Sequence, residues 1–69
     1  MRLTIEFEQE VDGRWIADVV DLPGVMVYGA TRAEAMQKVE SLALRVLAER
    51  IEAGETSLGE PLSLEFVAA

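Results

Sequence analysis

From Arg32 to Ala53 the chain contains neither proline nor glycine, and this one uninterrupted stretch decides most of what the protein can fold into. Ala35, Met36, Val39, Leu42, Ala43, Val46, Leu47 and Ile51 recur at three- and four-residue steps, so they share one side of an α-helix. Thr31 stands before it with Glu34 three residues on, the pattern of a capping box. Glu34 and Lys38 are in the favourable i,i+4 order on the polar side, and Gly54 follows as a natural C-terminal stop.

What precedes the helix alternates with a period of two. Leu3, Ile5 and Phe7 face one way and Thr4, Glu6 and Glu8 the other, which is a strand with one buried face. Glu10-Val11-Asp12-Gly13-Arg14 supplies turn chemistry, and Trp15 to Val20 resumes a β-rich run, giving a hairpin. Asp21-Leu22-Pro23-Gly24 ends the second strand, and Val25 to Tyr28 is a short third one. Beyond the helix, Glu55 to Pro61 is a connecting loop, and Leu62, Leu64 and Phe66 alternate with Ser63 and Glu65 as a fourth strand. The order βββαβ predicts an α+β fold. Its sheet is a four-stranded mixed one in the order 3-2-1-4, the last strand parallel to the first after a right-handed crossover, with one helix packed on one face.

Leu3, Ile5, Phe7, Ala17, Val19, Val27, Leu62, Leu64 and Phe66 are expected on the covered face, with Trp15 at its rim. The other face then carries Ile16, Val20, Met26 and Tyr28 among Thr4, Glu6, Glu8 and Asp18, a half-apolar surface suited to a protein interface, although scattered exposed apolar residues are also ordinary. A helix of about 22 residues extends ~33 Å against ~20 Å for a six-residue strand, so its C-terminal turns should overhang the sheet. Leu44, off the main stripe, and Ile51, near the overhang, are further candidates for contact with a second subunit, the alternative for Leu44 being a tolerated surface leucine.

Composition narrows the function. With no Cys and no His, disulfides, zinc sites, thiol nucleophiles and His-based acid–base mechanisms are absent. The net charge of −7 repels phosphate, and the six cations form no basic block, so direct nucleic-acid binding is not expected. No apolar run approaches the ~20 residues of a membrane helix, and the N-terminus does not read as a signal peptide, so a soluble cytoplasmic domain is expected. A core in so short a chain rarely supplies more than ~3–5 kcal/mol, which makes a homo-oligomer, dimer or tetramer, the expected state.

The carboxylates carry little diagnostic force by spacing alone. Glu6, Glu8 and Asp18 share a sheet face, but a two-metal nuclease needs carboxylates converging on metals ~3.5–4 Å apart together with substrate-binding cations. Near the first strand only Arg2 is available, and a solvated strand face explains the pattern. Tyr28, Ser41, Thr56, Ser57 and Ser63 have no histidine to activate them, Lys38 sits on the polar side of the helix, and Gly24 and Gly29 surround a β-rich segment instead of forming a phosphate loop. No catalytic residue, cofactor site or metal site is therefore expected, and the chain reads as a non-enzyme.

The segment Trp15-Ile16-Ala17-Asp18-Val19-Val20-Asp21-Leu22-Pro23-Gly24, four residues to Gly29, then Thr31-Arg32-Ala33-Glu34-Ala35, closely resembles the core of the HicB-like antitoxin family. The preceding Asp12-Gly13 turn matches too. This resemblance implies a truncated ribonuclease-H-like fold without nuclease activity, whose function is to bind and mask a small, basic, RNA-cleaving toxin of the HicA type. An acidic protein suits such a partner electrostatically. Family members that repress their own operon carry an additional C-terminal DNA-binding segment, and none follows the fourth strand here. The expectation is thus a single domain over 1–69 with no separate DNA-binding domain. A reading of another class is an orphan oligomeric scaffold or ligand-binding domain of the same fold with no toxin partner. Asp21, Leu22, Pro23, Gly24, Gly29, Thr31 and Glu34 are explained by turn and cap geometry, so no binding role is carried over to them.

Overall fold

The computed structural model describes residues 1–55 and 61–69. Its elements run β1 (Arg2–Gln9), β2 (Trp15–Val19), β3 (Met26–Gly29), α1 (Arg32–Glu52) and β4 (Glu65–Ala68). The sheet order is β3-β2-β1-β4, with β1–β2 and β2–β3 antiparallel and β1–β4 parallel, and α1 packs on it. This is the α+β architecture expected from the alternating strands and the single stripe.

Local chemistry explains where each element stops. Gly13, at φ +93°, closes the first hairpin by donating its N–H to Glu10 O, while Asp12 accepts from the Arg14 backbone N–H at 3.0 Å and from its Nε at 2.7 Å. Those bonds, the backbone one foremost, hold the Asp12 carboxyl below its ordinary range. At the helix start Thr31 Oγ1 accepts from Glu34 N–H at 3.0 Å. The Glu34 carboxylate is turned instead to Lys38 Nζ, 2.9 Å away, and that ion pair is the main cause of its lowered pKa. The helix ends in a Schellman arrangement, Gly54 N–H to Ile51 O and Glu55 N–H to Arg50 O, which requires the left-handed φ of +75° that Gly54 supplies.

The core is one cluster: Leu3, Ile5, Ala17 and Val19 from the sheet, Ala35, Val39, Ala43 and Leu47 from α1, and Leu22 and Val25 from the β2–β3 turn. Leu22 and Val25 were not among the residues expected inside. They are buried because Leu22 N–H bonds to Val19 O and Val25 N–H to Leu22 O, folding the turn back on itself. Phe7, Trp15, Val27, Leu64 and Phe66 are half-buried against this cluster, and no polar or charged residue is buried among the described residues.

Two expectations need correction. Leu62 does not lie on the covered face; it is 44% exposed. The fourth strand begins at Glu65 because the parallel register pairs Arg2 with Glu65 and Leu3 with Phe66, so residues 62–64 run past the start of β1 and have no strand beside them. The third strand begins at Met26, since Val25 is held in the turn. The expected connecting loop falls in part on 56–60, outside the described residues.

Candidate protein-interaction surface

The register sets out the uncovered face in rows. Glu8, Ile16 and Tyr28 stand side by side across β1, β2 and β3, and Glu6, Asp18 and Met26 form the next row. Beyond these, Val20 donates its N–H to Thr4 O at 3.1 Å, and Thr4 pairs on its other side with Val67. Period-two alternation places all of these side chains on the face away from α1. The result is an apolar group on the β2–β3 side, Ile16, Val20, Met26 and Tyr28, with the carboxylates of Glu6 and Glu8 along β1 and Asp18 between them. Val20, Met26 and Tyr28 are each more than two-fifths exposed, and Ile16 is half-buried. Glu6, Glu8, Asp18, Ile16 and Met26, with Phe7, line a shallow depression of about 230 Å³.

Asp21 fixes one end of this face. Its Oδ2 accepts the Thr4 N–H at 2.7 Å, so the carboxylate ties the β2–β3 turn to β1 instead of closing only its own turn. At the other end Arg14 lies over the Tyr28 ring, 4.7 Å from its centroid, while its guanidinium also pairs with Asp12. Neither Arg14 nor Val67 was among the residues expected at the surface. Arg14 is legible only once Trp15 is known to face Gly29, and Val67 only once Phe66 is known to point inward.

The six candidate residues separate into two surfaces. Ile16, Val20, Met26 and Tyr28 lie together on the open sheet face. Leu44, 50% exposed, sits on the flank of α1 and lines a groove of about 580 Å³ with Gln37, Glu40, Ser41, Arg45, Ala48 and Phe66. Ile51 continues the four-residue step of Ala35, Val39, Ala43 and Leu47, yet it is 46% exposed. The 21 residues of α1 span ~31 Å, so the stripe outruns the strands beneath it.

Among the described residues no three His, Cys, Asp or Glu side chains are grouped closely enough to hold a metal ion; Glu6 and Asp18 are direct register partners, and Glu8 is one step farther along. Among the described residues no helix is long and apolar enough to cross a membrane. The class these observations define is a two-layer α+β domain with one open, acid-edged sheet face. Comparison with known proteins finds no matching family model, no matching curated protein and no matching solved structure.

Proposed function

We propose that this chain is a HicB-like antitoxin-type protein, which binds and neutralises a small RNA-cleaving toxin of the HicA type through protein–protein contact in the cytoplasm. The single observation that carries the reading is the open sheet face, where Ile16, Val20, Met26 and Tyr28 adjoin Glu6, Glu8 and Asp18. The motif string from Trp15 to Ala35 supports it independently.

The chemistry of masking follows from what such a toxin must present. A protein that holds RNA offers cations to phosphates, and a sheet carrying carboxylates competes for those same cations. Carboxylates alone give steering but little affinity, because exposed ion pairs contribute only ~0–1 kcal/mol. The neighbouring apolar group supplies the rest: Tyr28 and Met26 are side chains of the kind that anchor interfaces once water is excluded around them. No residue of this chain has to perform a chemical step.

Titration of the purified chain with a HicA-type protein encoded beside its gene is the test. The expected result is a complex at micromolar concentration or tighter, weakened about tenfold or more by Met26→Glu with the circular dichroism spectrum unchanged. Absence of a complex at micromolar concentration removes the reading; an unaltered affinity of Met26→Glu removes this face from it.

A further inference from the structure

We infer that the outer edge of β3 takes up an extended, carboxylate-bearing segment of a partner protein as a fifth strand of the sheet. The inference does not depend on the toxin reading, whose surface is the open sheet face and whose partner is basic.

It begins from the backbone of β3, the last strand on its side of the sheet. Val19 donates its N–H to Val25 O at 3.0 Å, and bonded pairs alternate with unbonded ones along an antiparallel ladder. Ala17 with Val27 and Trp15 with Gly29 are therefore the bonded pairs, and the N–H and C=O groups of Met26 and Tyr28 point outward. Among the described residues no other strand pairs with those groups. Exposed edges are ordinarily blunted by a charge, a proline or a bulge. Met26-Val27-Tyr28-Gly29 carries no charge and no proline, and its ladder with β2 runs without a bulge. Such an edge is a template for one more strand.

The surroundings select that strand. Because α1 lies chiefly over β2 and β3, its outer flank stands beside this edge, and Val27, Gln37, Lys38, Ser41, Leu42 and Arg45 bound a groove of about 390 Å³ there. Val27 and Leu42 are half-buried and give it an apolar floor. Its charges are Lys38 and Arg45. Glu34, one turn before Lys38, is already held by that lysine at 2.9 Å, whereas Arg45 has the Ser41 hydroxyl at 3.5 Å. Glu49 and Glu52 lie about one and two turns past Arg45 and do not line the groove. On the open-face side of the edge stand Met26 and Tyr28, with Arg14 over the Tyr28 ring and Asp18 one strand farther in. A strand ~4.8 Å outside β3 sets alternate side chains toward Lys38 and Arg45 and the others beside Met26 and Tyr28. Carboxylates suit the first set and apolar side chains the second. A second copy of β3 has no carboxylate to offer.

Amide hydrogen exchange read by NMR, with the end-blocked peptide Thr-Val-Glu-Val-Glu-Val-Thr as the probe, tests the inference. In the chain alone the Met26 and Tyr28 amides should exchange fast and the Val27 amide slowly. About 1 mM peptide, enough to occupy a contact of ~0.1 mM strength, should slow the first two about tenfold. The lysine analogue Thr-Val-Lys-Val-Lys-Val-Thr should bind about tenfold more weakly, and Arg45→Glu should erase that preference with the circular dichroism spectrum unchanged. Backbone pairing is checked with two further glutamate peptides, N-methylated on the valines or on the glutamates, of which one should lose the effect. No slowing by the glutamate peptide overturns the inference. Equal slowing by both methylated peptides does so too, since side chains alone would then hold the probe. Met26 and Tyr28 amides already slow in a chain that sediments at twice the mass of one copy would assign the edge to a second copy and likewise overturn it.

Discussion

Gly29 is the residue on which the packing of the two layers turns. It is buried at the end of β3, and an added methyl would lie 2.5 Å from the backbone nitrogen and 2.8 Å from the Cα of Ala35. Backbone at the first turns of a helix cannot give way as a side-chain end can. We therefore predict that Gly29→Ala destabilises the fold by about 1–3 kcal/mol, the usual cost of overpacking, measured as a shift in the urea midpoint with an unchanged slope. A midpoint equal to that of the wild type would show that α1 is not held this close. Asp21 shows the limit of reading a residue from its neighbours. Its place before Leu22-Pro23-Gly24 suggests a turn-forming side chain, but its bond goes to Thr4 N–H, 17 positions away. Only a settled register reveals that.

Among the elements, α1 was the most legible because its ends are written in local chemistry. Thr31 and Gly54 each satisfy backbone groups that a helix leaves unpaired, and both do so within a few residues of sequence. Half of the expected capping box is realised: Thr31 caps, while the Glu34 carboxylate pairs forward with Lys38. Thr31→Ala should accordingly cost about 1 kcal/mol by thermal or denaturant unfolding, the typical worth of an N-cap; no measurable change would mean that water replaces the hydroxyl without loss. The fourth strand was less legible. Alternation from Leu62 to Phe66 has the right period, but a parallel strand begins where its partner begins, and here that is the pairing of Arg2 with Glu65. Leu62 obeys the local pattern and lies outside the sheet.

At the scale of the whole molecule, the six apolar residues singled out in the sequence do not make one interface. Four lie on the open sheet face, and Leu44 and Ile51 lie on α1, in the other layer. Periodicity alone assigned each residue to a side of its own element; it did not say how far α1 would shift toward β2 and β3, which is what opens a groove beside β4. That division leaves Glu6, Glu8 and Asp18 together on the open sheet face, with Arg14 at one end of it. Each chain has one open sheet face, so the proposed complex should hold one toxin for each chain.

RNA cleavage by a HicA-type protein, followed while this chain is titrated in, is the measurement that bears most directly on the proposed function. Cleavage should stop near one chain per toxin, and Met26→Glu should require about tenfold more protein, in keeping with the loss of an interface anchor. Cleavage that continues unchanged with the wild-type chain at about 100 µM, where a micromolar complex would be saturated, would contradict the account.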